Sequence, residues 1–260
     1  MNSVLSNILE TGLVQCPDGQ LVKAHSHIPR QEGEFLQGII AELKPGLSLE
    51  IGLAYGVSSL FICDALARIP GARHIIIDPA QFKVEHWKGA GLYNLKAAGY
   101  GDMIEFYETP SHIALPKLES EGRRVEFAFI DGAHLFDFVM VDFFCVDRIL
   151  KVGGIMAFDD LWMPSVQRLC RYILTNRSYS VHRYFPERSL DEDRISWKRQ
   201  ISWKRRMYQK AVNSSEAIRK TIKPEYSDPG IDYLLGYNQR CLAFRKEADD
   251  DRIWDFHRDF

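Results

Sequence analysis

Apolar strands with an acidic residue at or near the carboxyl end recur along this chain, with helical segments between them. Three such strands are predicted at residues 47–52, 74–78 and 125–131, and a fourth, at 155–160, follows a predicted helix at 136–150. Continuously apolar strands that alternate with helices predict a parallel sheet covered by helices on both faces. The fold class is therefore α/β.

The acids at the strand ends are regularly spaced. Glu50 and Asp78 are 28 residues apart, as are Asp131 and Asp159, and this is close to the length of one βαβ unit. In such sheets ligands bind outside the carboxyl ends of the strands, which is where these acids and Asp160 are expected to lie. We therefore expect one binding crevice that is lined by several carboxylates.

Composition excludes several classes of protein. The chain has 260 residues, of which 46% are hydrophobic and 26% charged, and its formal net charge is −2. These values are typical of a globular protein with one large or two small domains, and they argue against a surface built to hold nucleic acid. The five scattered cysteines indicate reduced thiols, and no apolar run is long enough to cross a membrane, so a cytoplasmic location is predicted.

A glycine-rich turn follows the first of the predicted strands. Gly52, Ala54 and Gly56 give this turn a surface of small residues, which a ligand can approach closely. The turn lacks the third glycine of a dinucleotide-binding G-x-G-x-x-G motif, and the strand before it contains an acid, Glu50. Nicotinamide chemistry is therefore disfavoured.

Five phrases in order make the chain resemble a known family. They are Leu-Glu-Ile-Gly at 49–52, the Gly-x-Ser at 56–58, Ile-Asp-Pro at 77–79, Ile-Asp-Gly-Ala-His at 130–134, and the Gly-Gly and Phe-Asp-Asp of 153–160. In this respect it resembles the class I S-adenosylmethionine-dependent methyltransferases of the "methyltransferase domain 24" type, which are related to catechol and macrocin-type O-methyltransferases. The likeness spans residues 31–160 and, more weakly, the last strand. It implies a Rossmann-like, mostly parallel seven-stranded sheet and methyl transfer to a hydroxyl of a small molecule, either a sugar or a phenolic compound.

The resemblance also implies a cofactor site for S-adenosylmethionine. Asp78 would accept the ribose hydroxyls, and the turn would line the methionine part of the cofactor. The full set of implied cofactor residues is Glu50, Gly52, Ala54, Tyr55, Gly56, Ser58, Asp78, Thr109, Ser111 and Asp131. Two alternatives remain open from the residues alone, because Asp78 could cap the turn before Pro79 and Glu50 could be a buried structural carboxylate.

A second implied site is formed by carboxylates. In relatives that resemble this chain, acids at the positions of Asp131, Asp159 and Asp160 bind a divalent cation, and three carboxylates suit Mg²⁺. His134 would act as a base beside Asp131, because an imidazole titrates in the range that proton transfer needs. The competing interpretation has no metal: Asp131 contacts cofactor or substrate, Asp159 and Asp160 cap a turn, and His134 is structural.

Other residues are weaker candidates. His25 and His27 precede the predicted core and could reach a substrate, although surface histidines are the favoured interpretation. Trp87, Trp162 and Tyr55 could shape an acceptor pocket, but aromatic residues are also ordinary core material.

The last third of the chain differs in character. A strand is predicted at 179–185 and another at 240–245, and residues 186–225 between them form a basic segment that we interpret as a helical insertion or lid. Trp197 and Trp203 occur there in a tandem Ser-Trp-Lys-Arg repeat, but six residues on a helix turn through about 600°, so the two rings would not share a face. Nucleic-acid binding is disfavoured for that reason, and the aromatic tail 252–260 could contact a partner subunit in a homo-oligomer.

The predicted organisation is an N-terminal segment at 1–30 and a methyltransferase domain at 31–260. Two other functions remain open. One is a metal-independent methyltransferase that acts on nitrogen, RNA or protein, and the other is a cofactor-binding scaffold without turnover.

Overall fold

The computed structural model describes residues 2–85, 87–186 and 240–260. Within these residues the helices and strands alternate along most of the chain, as the apolar pattern predicts. They are α1 (Ser3–Thr11), β1 (Leu13–Gln15), β2 (Leu21–Lys23), α2 (Arg30–Leu43), β3 (Leu47–Ile51), α3 (Val57–Leu66), β4 (Arg73–Ile77), α4 (Ala90–Ala97), β5 (Ile104–Tyr107), α5 (Ser111–Ser120), β6 (Val125–Ile130), α6 (Phe136–Ile149), β7 (Leu150–Phe158), α7 (Pro164–Asn176), β8 (Tyr179–Phe185) and β9 (Cys241–Lys246).

Seven of these strands form one sheet in the order β5-β4-β3-β6-β7-β9-β8. Strand β9 runs antiparallel to both of its neighbours, and the other strands are parallel to one another. The predicted seven-stranded, mostly parallel sheet is confirmed. The predicted helical insertion at 186–225 lies almost entirely outside the described residues, as do both tryptophans of the tandem repeat.

Helices cover both faces of the sheet because its central strands are apolar on both sides. Leu36 of α2 and Leu60 of α3 pack on one face, in the same hydrophobic core as α1 and α4. Leu115 of α5, Phe143 of α6 and Leu169 of α7 pack on the other face. The sheet is therefore the middle of three layers. Because helices cover both of its faces, a ligand can approach it at the ends of the strands.

The N-terminal segment packs onto the same core. Strands β1 and β2 form a small antiparallel hairpin whose Val14 is fully buried. The Asn94 side chain of α4 donates to the carbonyl of Gln15 at 2.9 Å, and the Asn2 side chain donates to the carbonyl of Ala98 at 2.8 Å. A domain boundary near residue 30 stays a prediction.

The C-terminal tail lies against α7. The Phe260 ring packs on the ring of Tyr172 with centroids 5.2 Å apart, and the Asn176 side chain bonds both the carbonyl and the amide of Arg258. Trp254 is 97% exposed. Part of the tail therefore packs on its own chain, and its predicted contact with a partner subunit stays a prediction.

The order of the strands fixes where a ligand can enter. The chain passes from β3 outward to β4 and β5, and then returns to place β6 on the other side of β3. The connections after β3 and β6 consequently diverge, and a crevice opens between them at the carboxyl ends of the strands.

Candidate active site

A cavity of about 450 Å³ lies at this switch point. Its wall is formed by the turn after β3, the ends of β4, β6 and β7, the start of α5 and the segment before α2. The residues predicted from the sequence that line it are Gly52, Ala54, Tyr55, Ser58, Asp78, Ser111, Asp131, His134, Asp159 and Asp160. A cavity of this size is in the range of small-molecule and cofactor sites.

The glycine turn brings the ends of β3 and β6 into contact. Gly52 has a φ of +95°, and a Cβ there would lie 2.1 Å from the carbonyl oxygen of Asp131. Gly56 has a φ of +78° and begins α3, and a Cβ there would lie 3.0 Å from Gly91. The two glycines are therefore required by backbone conformation and by close packing. Gly56 itself does not line the cavity, whereas Gly52 does.

Asp78 holds this turn in place. Its Oδ2 accepts hydrogen bonds from the amides of Leu53 at 2.9 Å and Ala54 at 3.2 Å, and its Oδ1 accepts one from the amide of Ala80 at 2.7 Å. Two loops at the ends of neighbouring strands are thus tied to one carboxylate. The carboxylate lies at the cavity wall, so the structural and the ligand-binding interpretations of Asp78 are compatible.

Glu50 lies behind the turn and does not line the cavity. The Ser59 hydroxyl donates to its Oε2, and Nε2 of His74 lies 3.2 Å from the same oxygen. The Ser48 hydroxyl lies 2.8 Å from the other ring nitrogen of His74. Hydrogen bonds thus connect Ser48, His74, Glu50 and Ser59 in a buried polar network between β3, β4 and α3. Oε1 of Glu50 is buried and has no hydrogen-bond partner among the described residues.

Asp131, His134 and Asp160 converge on one side of the cavity. One potential ligand atom of each lies within 4.8 Å of the others. Nε2 of His134 is 3.0 Å from Oδ2 of Asp160 and 3.9 Å from Oδ1 of Asp131. Desolvation, together with the charges of Asp159 and Asp160, raises the pKa of Asp131 well above its usual range. A cation at this place would relieve that repulsion.

Asp159 has a different set of contacts. Its Oδ1 accepts a hydrogen bond from the amide of Asp160 at 2.6 Å, and its carboxylate also bonds Glu32, a fully buried residue of α2. Burial, with the nearby charge of Asp159, raises the pKa of Glu32 to about 9. Nε of Arg240 donates to Oε2 of Glu32 at 3.1 Å. Sequence reasoning missed Glu32 because it lies on the apolar face of a predicted helix.

Asp142 is a further acid that sequence reasoning missed. It lies on α6, lines the cavity and is 3% exposed. Burial raises its pKa to about 6, although the Ser111 hydroxyl, which hydrogen-bonds to it, and His112 act in the opposite direction. Its Oδ1 is buried without a hydrogen-bond partner among the described residues. The only sequence signal was an acid among the apolar residues of a predicted helix.

Comparison with known proteins shows that the segments around this crevice are similar to a family. The model of a family described as "Methyltransferase domain" matches residues 49–161, from β3 to just past β7. This range contains the glycine turn, Asp78 and all three members of the Asp131, His134 and Asp160 group. Residues 49–161 are thus similar to a methyltransferase domain.

Two relatives are similar to this chain over about half of its length. A protein of Arabidopsis thaliana named as a caffeoyl-CoA O-methyltransferase is 32% identical over 140 residues, which cover 54% of this chain and 57% of the relative. Caffeoyl-CoA O-methyltransferase 2 of Petunia hybrida is 29% identical over 139 residues, 52% of this chain and 54% of the relative. The chain therefore spans between half and two thirds of these relatives' length.

Solved structures show that the fold extends beyond the matched range. An O-methyltransferase of Bacillus cereus, solved with S-adenosylhomocysteine, aligns with a TM-score of 0.57 at 18% identity over 70% of this chain and 83% of its own. An O-methyltransferase of tomaymycin synthesis from Streptomyces achromogenes, solved with S-adenosylmethionine, aligns with a TM-score of 0.56 at 18% identity over 70% and 82%. The Rossmann-like fold of class I methyltransferases is thereby confirmed.

The remaining predicted site residues differ in whether they line the cavity. His27 and Trp87 line it, whereas Thr109 does not. His25 lies outside it, and its Nε2 is 2.9 Å from the Tyr55 hydroxyl. The Trp162 indole donates to Oδ1 of Asp160 at 2.7 Å, although the ring does not line the cavity. In the part of the chain that the structure describes, no helix is long and apolar enough to cross a membrane.

Proposed function

We propose that this chain is an S-adenosylmethionine-dependent O-methyltransferase that acts on a small-molecule hydroxyl with the help of a divalent cation. The main support for the proposal is that two groups of residues, which we call half-sites, line the same cavity. The glycine turn and Asp78 form one half, and Asp131, His134 and Asp160 form the other. A methyl donor and an oxygen acceptor would meet between them.

The first half-site suits S-adenosylmethionine. Gly52 and Ala54 have positive φ and expose backbone at the cavity wall, where the methionine part would lie. Asp78 would accept a ribose hydroxyl through Oδ1, because that oxygen has a lone pair beyond the one bonded to the amide of Ala80, whereas Oδ2 already accepts from two amides. Tyr55 and Ser58 would complete this wall, and Glu50 and Gly56 would support it from behind. Ser111, with Thr109 next to it, would lie at the adenine end.

The second half-site suits a divalent cation, because carboxylate oxygens and an imidazole nitrogen converge there within ligand distance. We propose Asp131 and Asp160 as its ligands. Asp159, which the sequence analysis included in this set, would orient Asp160 through the hydrogen bond to its amide. Mg²⁺ fits the two carboxylates, and His134 then remains available to act as a base.

When bound, S-adenosylmethionine supplies an electrophilic methyl group, and a cation lowers the pKa of the acceptor hydroxyl. The chain's own residues then have two tasks. The cavity walls hold the acceptor oxygen in line with the methyl carbon and exclude water. The ring nitrogen of His134 that does not face Asp160 would accept the hydroxyl proton, and the Asp160 carboxylate, 3.0 Å from Nε2, would stabilise the resulting imidazolium.

The proposed function predicts separate effects on binding and turnover. We expect calorimetry to show S-adenosylhomocysteine binding in the presence of EDTA, whereas methyl transfer to caffeoyl-CoA or to a panel of sugars and phenols stops. Asp160→Asn should lower turnover by about 100-fold, which is in the range that the loss of one catalytic interaction costs. Its dissociation constant for S-adenosylhomocysteine should stay within about twofold of that of the unchanged chain. Asp102→Asn, on the surface away from the cavity, is the matched control.

Each contrary result has a definite meaning. Turnover that survives EDTA and Asp160→Asn would support the metal-independent alternative, including transfer to nitrogen, RNA or protein. Binding without turnover on any acceptor would support the scaffold alternative. A folded chain that does not bind S-adenosylhomocysteine would remove the proposal altogether.

Asp142 gives a second prediction, on the adenine end of the cavity. A buried carboxylate oxygen without a donor, beside Ser111, would accept a hydrogen bond from the exocyclic amino group of adenine. We expect the chain to bind S-adenosylhomocysteine at least about tenfold more tightly than S-inosylhomocysteine, whose carbonyl replaces that amino group. Asp142→Asn should reduce this preference to less than about threefold, because an amide can donate to the carbonyl.

Both ligands are titrated calorimetrically into the unchanged chain and into Asp142→Asn. For each protein the preference is the ratio of the two dissociation constants, so a general weakening of the site does not affect it. A preference that Asp142→Asn leaves unchanged would show that Asp142 does not contact the base, while the proposed activity would stand.

A further inference from the structure

The outer side of α6 is apolar although it faces solvent. We use the name α6 face for the exposed residues of this helix and its preceding residue. Leu135 is 63% exposed and Phe144 is 52% exposed. The apolar members of the face are Leu135, Phe136, Phe138, Val141 and Phe144. Contiguous apolar surface of this kind marks an interaction site more often than single exposed residues do.

Four residues run along the centre of the α6 face. Asp137, Val141, Phe144 and Arg148 are spaced by four, three and four residues, so they follow one another up a single side of the helix. All four are exposed. The two apolar residues lie in the middle, the acid lies near the start of the helix, and the base lies near its end.

Both charged residues have room for another partner. Asp137 forms no hydrogen bond or ion pair with the described residues. Arg148 bonds Glu119 of α5 through Nε and Nη2, and its guanidinium lies 5.8 Å from the centre of the Phe144 ring. Nη1 of Arg148 forms no hydrogen bond with the described residues. Arg148 is thus held in position with one donor group open.

The arrangement is self-complementary. The point midway between Asp137 and Arg148 lies between Asp142 and Phe143, and the point midway between Val141 and Phe144 is the same. Two antiparallel copies of α6 related by a twofold axis at this point place Asp137 opposite the other copy's arginine at both ends. Val141 and Phe144 then face each other across the centre. A parallel pair would instead place like charges together.

We propose that the α6 face is the interface of a twofold-symmetric homodimer in which two copies of α6 pack antiparallel. The apolar centre supplies the affinity, and the two Asp137–Arg148 pairs set direction and register. Phe138 belongs to the α6 face and also lines the cavity, so the second copy packs beside the cavity mouth. This proposal does not depend on the proposed activity.

Sedimentation velocity over a concentration series tests the interface by charge exchange. We expect the unchanged chain to be dimeric. Asp137→Arg and Arg148→Asp should each raise the dissociation constant of the dimer by at least about tenfold, because each places two like-charged pairs across the axis. An equimolar mixture of the two single variants should restore the dimer, since each heterodimer then contains two opposite-charged pairs. The double variant should also be dimeric.

Circular dichroism and thermal melting of each variant establish that it is folded, and Val141→Glu is expected to be a folded monomer. The proposal is overturned if the unchanged chain is a monomer, which would assign the α6 face to a different partner. It is also overturned if both single variants remain dimeric. A mixture that stays monomeric while the unchanged chain is dimeric would exclude the antiparallel register.

Discussion

Gly52→Ala is expected to lower the free energy of unfolding by about 3 kcal/mol or more, since it adds backbone strain to severe overpacking. The new Cβ would lie 2.1 Å from the Asp131 carbonyl oxygen, at a φ of +95°. The neighbouring atom belongs to backbone, so it cannot rotate away as a side-chain end would. The loop after β6 must move, and Asp131 and His134 move with it. Urea denaturation and S-adenosylhomocysteine binding measure the two consequences.

Gly99→Ala separates the steric effect from the conformational one. Gly99 has a φ of +85°, but a Cβ there would meet no atom within 4 Å. This variant should cost about 1 kcal/mol, the penalty of the left-handed conformation alone. If the two variants lose equal stability, the close approach between β3 and the loop after β6 does not constrain Gly52.

Asp78→Asn is expected to weaken S-adenosylhomocysteine binding by about 100-fold, or about 2.7 kcal/mol. An asparagine has one acceptor oxygen, whereas Asp78 accepts from the amides of Leu53 and Ala54 with one oxygen and from Ala80 with the other. The amide NH₂ group would face at least one backbone donor. The proposed bond between Oδ1 and a ribose hydroxyl would weaken at the same time, because the negative charge is lost.

Calorimetry of Asp78→Asn should be compared with Asp102→Asn, an exposed acid away from the cavity, which should bind as the unchanged chain does. An Asp78→Asn protein that binds normally would limit Asp78 to support of the turn. A protein that loses stability without losing affinity would lead to the same conclusion.

The fold could be predicted from the sequence because the central strands carry continuous apolar runs. Residues 179–185 were predicted as a strand, and β8 has these bounds. Strand β5 is harder to detect, since its four residues include Glu105 and are only partly buried. Local periodicity also does not reveal that α1 and the first hairpin share the core of α2 and α3, because that packing joins residues far apart in sequence.

The candidate site could be predicted in part, and the limit has a physical cause. Acids at strand ends were found because the topology brings those ends together. Asp142 lines the cavity, and Glu32 contacts Asp159 at its wall. Both acids lie on the buried sides of helices, where periodicity favours apolar residues, so nothing in the local pattern indicates their role. The contact between Asp159 and Glu32 joins β7 to α2 across more than a hundred residues of chain. Only the folded arrangement shows that Asp160, and not Asp159, lies beside His134.

The position of β9 has a consequence for biosynthesis. Strands β7 and β8 are adjacent in sequence, yet β9 lies between them and pairs with both. A ribosome that has released the chain only as far as β8 has therefore made a sheet whose β7 edge is open and a strand that has no neighbour to pair with. Completion of this sheet must therefore wait until residues 241–246 leave the exit tunnel.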